Sequence, residues 1–224
     1  MKFIIYQKRW ENGDMCSRYS VLTKKEIIEV REILRKISLR VVGDDFLEYE
    51  GAAGEIRPTD SAPVIVARGN GVAVERQKFG FRRAQPPGVI INARSDTLEE
   101  KPVFSRLLKS GRCVVPAAEF FEWKDNGKSG KVKHYARGRG GNILFFAGLC
   151  QSAEKERDFV IITKDSTGEM AKIHNRVPVI LRAEQIWPWL SGKIGPKDLL
   201  TMDFDLTVRP CDENEAIQVS LFDM

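Results

Sequence analysis

Arg112-Cys113-Val114-Val115-Pro116, Phe120-Phe121-Glu122-Trp123, Lys131-Val132-Lys133-His134-Tyr135-Ala136 and Ile143-Leu144-Phe145-Phe146-Ala147-Gly148-Leu149 follow one another along the chain. Each run is short, and β-branched and aromatic residues are frequent in them. Glycine, asparagine and aspartate stand between the last three runs. That is the pattern of successive strands joined by turns, and it predicts an antiparallel or mixed sheet. Phe159–Thr163 and Val177–Leu181 continue the series downstream. Upstream, Pro63–Ala67 and Val72–Glu75 flank the turn Gly69-Asn70-Gly71, and Val89–Asn92 is one more short apolar run. Many short strands with turn punctuation favour a sheet that returns on itself.

Helical signals surround this series. Ile27, Val30, Leu34 and Ile37 recur at helical spacing, and Thr23 with Glu26 forms a capping box ahead of them, so a helix is expected over 24–38. A second begins at Pro102, runs through Phe104, Leu107 and Leu108, and stops at Gly111. Helical pieces are expected near 183–190 and 196–201, and irregular chain over 41–60 and 82–88, where Gly43, Gly51, Gly54, Pro58 and Pro86-Pro87-Gly88 fall. The expected class is α+β: a mixed, mostly antiparallel β-sheet closing as a barrel-like core with flanking helices. No repeat or linker-like shift in composition breaks the chain, so one domain is expected.

The 224 residues are long enough to bury a core without staples. The composition, 42% hydrophobic and 30% charged, is that of a soluble globular protein. The longest apolar run, Ile143 to Cys150, is far short of a membrane span, and the amino terminus fits no secretory signal. A cytoplasmic protein with no membrane partner is expected. The net charge of +5 permits an anionic partner without demanding one. Cys16, Cys113, Cys150 and Cys211 lie far apart, with no CxxC pair and no short Cys/His cluster. Neither a zinc site nor a disulfide framework is expected, and no cofactor is implied. Cys113 and Cys150 read as small buried hydrophobes; Cys16, in polar surroundings, does not.

Four places could carry chemistry. Lys128, Lys131, Lys133, His134, Arg137 and Arg139 crowd a glycine-containing segment, which reads either as a solvated hairpin or as a phosphate-contacting loop. Of the two histidines, His134 sits in that basic run and is expected at the surface. His174 lies in a polar loop ahead of an apolar strand, a place for a functional side chain. Glu122 stands between aromatic residues, so it either alternates out to solvent or is held in an apolar site that raises its pKa. Asn92-Ala93-Arg94 closes a short strand.

Together these pieces resemble the SRAP family, the SOS-response-associated peptidases. Met15-Cys16-Ser17-Arg18-Tyr19 is similar to the family's N-terminal Met-Cys-Gly-Arg-Tyr, and the Pro58-to-Pro63 segment to its Pro-Thr-x-x-x-Pro. Asn92-Ala93-Arg94, Arg112-Cys113-x-x-Pro116, Phe121-Glu122-Trp123 and Ile173-His174-Asn175-Arg176-Val177-Pro178 follow in family order, covering about residues 15–190. The departures are Ser17 for Gly, Asn175 for Asp, Val177 for Met, and the residues ahead of Met15.

The resemblance implies the SRAP fold over 15–224, preceded by an extension or leader at 1–14. It implies covalent capture of abasic sites in single-stranded DNA through the α-amine and thiol of Cys16 as the first residue of the mature chain. It also implies autoproteolytic exposure of that residue, although Met15 as the true start serves equally. Asn92, Glu122 and His174 complete the implied catalytic set. Arg18 and Arg94 would hold phosphates. Phe79, in Lys78-Phe79-Gly80-Phe81, would stand where the family carries its strand-separating tryptophan, stacked on a base. Lys131, Lys133 and Arg137 would add a basic DNA contact. A single DNA surface points to a monomer, and a DNA partner to the nucleoid. Two other readings stay open: a Cys/His thiol hydrolase acting in trans through Cys16, His174 and Asn92, and a noncovalent single-strand DNA-binding module using the 128–139 segment.

Overall fold

The computed structural model describes residues 17–37, 39–44, 54–84, 86–153 and 156–211. Cys16 and the 1–14 extension lie outside the described residues. The chain opens with β1 (Arg18–Ser20), α1 (Lys24–Lys36), β2 (Val41–Asp44), β3 (Glu55–Ile56), β4 (Ser61–Arg68), β5 (Gly71–Phe79), β6 (Phe81–Arg83), β7 (Gly88–Ile90) and β8 (Asn92–Arg94). It continues with α2 (Pro102–Ser110), β9 (Arg112–Ala117), β10 (Glu119–Asp125), β11 (Lys131–Gly138), β12 (Leu144–Ala153) and β13 (Glu156–Asp165). Last come β14 (Arg176–Pro178), β15 (Ile180–Leu181), α3 (Ile186–Leu190), α4 (Pro196–Leu200) and β16 (Leu206–Pro210).

The capping box is made as the sequence predicts: the Glu26 N–H donates to Thr23 Oγ1 at 3.3 Å and the Thr23 N–H to Glu26 Oε2 at 2.7 Å. Ile27, Val30 and Leu34 form the buried stripe of α1. In the larger sheet, β5, β4, β9, β12 and β13 pair in turn. β13 then pairs in parallel with β5 through Asp158↔Lys78 and Phe159↔Phe79, so the strands close into a ring. β2 and β8 join β5 and β13 in parallel as well. The smaller sheet runs β16-β11-β10-β1-β3 and is antiparallel throughout.

Alternation along the ring strands divides the core in two. Ile65, Val114, Phe145, Val160 and Ile162 meet the helices, with Leu34, Phe104 and Trp189 facing them. Val64, Val115, Phe146, Phe159 and Ile161 meet the smaller sheet, which contributes Tyr19, Phe120 and Ala136. Cys113 and Cys150 are buried in that second core, as small hydrophobes should be. Gly148 opposes Cys113 across the β9–β12 ladder. An added Cβ there would lie 2.8 Å from Cys113 Sγ and 2.9 Å from the Val160 carbonyl, so only glycine fits.

Two expectations are corrected, and one strand had no counterpart among them. The 41–60 stretch contains β2 and β3, whose partners β5 and β1 lie well away in sequence. The 82–88 stretch closes a hairpin between β6 and β7. β16 was not anticipated from the sequence; it is an edge strand held by β11.

Candidate functional site

Strand pairing sets the site. β1 lies antiparallel to β10 with Arg18 opposite Phe121 and Tyr19 opposite Phe120. β10 is paired in turn to β11, with Glu122 opposite His134. Directly opposed residues share a face, so Tyr19, Phe120, Glu122, His134 and Ala136 line the core side. Glu122 is only 4% exposed, so it does not alternate out to solvent. His134 is corrected from a surface residue to a buried one: it is 8% exposed, its Nδ1 lies 3.0 Å from the Val132 carbonyl, and Pro210 of β16 covers its other side in the ladder.

The opposite face carries cations on aromatic rings. The Arg18 guanidinium lies 4.9 Å from the Trp123 ring centre, and Lys133 Nζ lies 4.0 Å from Phe121 and 5.9 Å from Trp123. Arg137 stands 4.7 Å over Tyr135. Carboxylates hold these same cations. Glu55 of β3 pairs with both Arg18, at 3.4 Å, and Lys133. Glu119 pairs with Arg137. Lys131 is exposed at the start of β11.

Asn92 enters β8 half-buried, opposite Ile161 of β13. Two residues on, the exposed Arg94 is gripped by Asp96, with Nε 3.2 Å and Nη2 2.7 Å from the two carboxylate oxygens. The hydrogen bond from Arg94 holds the Asp96 carboxyl at about 2, below the usual 3.8.

His174 is fixed by its own turn. Its backbone N–H donates to the Met170 carbonyl at 2.9 Å, and its carbonyl accepts from the Ser166 hydroxyl. Its Nδ1 accepts from the Arg176 N–H at 3.2 Å. An accepting Nδ1 assigns the proton of the neutral ring to Nε2. Burial, with the Lys131 charge adding to it, pushes His174 below the ordinary 6.5, so this neutral form prevails at pH 7. Arg176 is itself buried. It donates to the Thr163 carbonyl at 2.7 Å, pairs with Asp165, and lies 3.5 Å from Asp96.

Phe79 is corrected. Expected to stack on a DNA base, it is 0% exposed, stacked on Phe159 at 5.2 Å and edge-on to Tyr19 at 5.7 Å. Its ring faces are spent in the core. Phe81, also in that stretch, is buried too. Sequence reasoning missed Glu55, Asp96, Trp123 and Arg176 as parts of the site. Arg176 and Trp123 lay within quoted motifs, and Glu55 and Asp96 beside them, but only the folded chain shows what they pair with. Among the described residues no group of three or more His, Cys, Asp or Glu is arranged to hold a metal ion, and no helix is long and apolar enough to cross a membrane.

A ring of mixed strands with helices on one face, a small antiparallel sheet on the other, and a buried glutamate beside the first strand define the structural class. Residues 15–220 match the family model described as SOS response associated peptidase (SRAP), and the chain belongs to that family. It is 37% identical over 222 residues to the abasic site processing protein YobE of Bacillus subtilis (strain 168), covering 92% of this chain and 94% of that one. It is 30% identical over 219 residues to the abasic site processing protein YoqW of Bacillus phage SPbeta, 92% of each. Among solved structures, a phage-related protein from Bordetella bronchiseptica is similar at a TM-score of 0.69 and 25% identity, over 88% of this chain and 95% of that one.

Proposed function

We propose that this protein binds single-stranded DNA at abasic sites and joins itself to them through Cys16 as its first residue. The relatives named for abasic-site processing support the substrate. The observation that carries the reading is the β1–β10 pairing: the chain leaves Cys16 and runs, from Arg18 on, beside the strand that holds the buried Glu122.

The chemistry needs both nucleophiles of one residue. The open abasic sugar is an aldehyde. The Cys16 α-amine adds to it, water leaves, and an imine forms. The thiol then adds to the imine carbon and its proton passes to nitrogen, closing a thiazolidine. In sum, one aldehyde and one N-terminal cysteine give the ring and one water. An α-amine with a pKa of about 7.7–8.0 is partly neutral at pH 7, which a lysine is not. Glu122 accepts the amine proton and returns it to the departing hydroxyl. Asn92 orients the sugar. The His174 Nε2–H donates to the sugar ring oxygen as the ring opens. Arg18, Arg94, Lys131, Lys133 and Arg137 take the flanking phosphates.

With residues 1–15 attached, Cys16 has no free amine. Attack of its thiol on the Met15 carbonyl transfers the leader to sulfur and frees the amine, and water then cleaves the thioester. Translation from Met15 followed by removal of that methionine gives the same product. The hydrolase reading needs His174 as a base toward sulfur. It fits less well, because Nδ1 is taken by the Arg176 N–H and Nε2 carries the proton.

The test is intact mass and denaturing electrophoresis after mixing with single-stranded DNA carrying one abasic site. The expected results are a chain beginning at Cys16 and a denaturation-stable adduct equal to both masses less water. Cys16→Ala should abolish the adduct, and Glu122→Gln should slow it by about 100-fold or more. A chain beginning at Cys16 that forms no adduct would overturn the proposal.

A further inference from the structure

Arg94 presents a two-pronged guanidinium edge to solvent, the geometry that a phosphate or a carboxylate takes in bidentate fashion. Asp96 occupies that edge through both of its oxygens. The Arg94 side chain is 52% exposed and that of Asp96 38%, so an incoming strand reaches the pair without opening the fold. Asp96 also has a second cation. Its Oδ1 lies 3.5 Å from Nη2 of Arg176, a side chain 6% exposed and held independently by Thr163 and Asp165. The carboxylate can therefore release Arg94 without losing every positive partner.

We propose that Asp96 stands in for a DNA phosphodiester on Arg94: the backbone phosphate displaces it, and Asp96 stays with Arg176. The exchange sets the noncovalent affinity for any single strand, because phosphate must compete with a tethered carboxylate for the same donors. Free Arg94 would grip every phosphate alike. Arg94 held by Asp96 grips weakly, and long residence then falls to strands that react with Cys16. The inference rests on the reading of Arg94 as a phosphate-binding residue, and the variants below separate the two.

Binding of a fluorescein-labelled undamaged single strand is followed by anisotropy for the parent protein, Asp96→Asn, Asp96→Ser, Arg94→Ala and Arg94→Ala/Asp96→Asn, with thermal melts verifying folding. Removing the carboxylate should tighten binding about three- to tenfold and steepen the dependence on salt. Arg94→Ala should weaken binding. In the Arg94→Ala background Asp96→Asn should give no gain, because the competition has no donor left. With an abasic strand, discrimination over undamaged strand before crosslinking should fall in Asp96→Asn. If Asp96→Asn and Asp96→Ser weaken binding or leave it unchanged, Asp96 positions Arg94 and the proposal is overturned. An equal gain without Arg94 means a general charge effect and overturns it too. An unchanged affinity in Arg94→Ala overturns the phosphate reading of Arg94 itself.

Discussion

Phe79→Ala separates a core role from a DNA-stacking role in one experiment. The ring is fully buried between Phe159 at 5.2 Å and Tyr19 at 5.7 Å, and Tyr19 in turn meets Phe146 at 6.0 Å. Removing it deletes a large apolar surface and leaves a cavity between two sheets that can collapse only partly. The expected cost is about 3–5 kcal/mol. For a chain of this size each kcal/mol lowers Tm by about 2–4 °C, so a fall of about 6–20 °C follows. Phe79→Leu refills much of the volume and loses chiefly the ring–ring contact, so about 1–1.5 kcal/mol is expected. Urea titration followed by tryptophan fluorescence gives both values, and anisotropy with a labelled single strand, on folded Phe79→Leu protein, gives the affinity. The expected result is lost stability at unchanged affinity. A stability change below about 1 kcal/mol for Phe79→Ala, with weakened DNA binding in Phe79→Leu, would refute the placement of this ring in the core.

Two further perturbations follow from the same packing and protonation. Gly148→Ala drives a methyl against Cys113 Sγ and the Val160 carbonyl, so a loss of about 1–3 kcal/mol is expected; adding Cys113→Ala should recover part of it in denaturant titrations, because the sulfur clash is gone and the carbonyl clash remains. His174 has a folded pKa lowered below 6.5 by burial, so the unfolded chain takes its proton first as pH falls. Stability should therefore decline as pH drops from 6.5 toward the folded value and level off below it, and His174→Gln should flatten that slope in pH-dependent melts.

The parts legible in the sequence are those decided by local chemistry. Thr23 and Glu26 announce the start of α1, Pro102 and Gly111 bracket α2, and Gly69-Asn70 marks the β4–β5 turn. The parallel closures of β13 with β5 and β8 were not legible, because they join segments far apart in the chain and leave no local mark. His134 shows the consequence. Its basic neighbours suggested solvent, but β16 pairs against β11 and buries it. Phe79 misled for a similar reason: Lys78 points out of β5 and Phe79 points in, and alternation alone does not say which face is the core. His174 was legible as a candidate from its loop. What holds it was not, since Arg176 binds Thr163, Asp165 and Asp96, which meet only in the folded chain.

One register decides whether the site exists at all. In β1, Tyr19 faces the core at 2% exposure while Arg18 faces the Trp123 ring on the other side. A slip of one residue against β10 would exchange them, pushing a guanidinium into the aromatic core and a tyrosine into solvent. Burying an unpaired charge there costs far more than any gain outside, so packing of Tyr19 against Phe79 and Phe146 locks the strand in place. The same lock fixes where the chain enters β1, with Arg18 opposite Phe121 and Tyr19 opposite Phe120. A strand three residues long has little hydrogen bonding of its own to resist sliding. The buried aromatic cluster therefore does more than stabilise the fold: it holds Arg18 and Tyr19 in one register beside the strand that carries the buried Glu122.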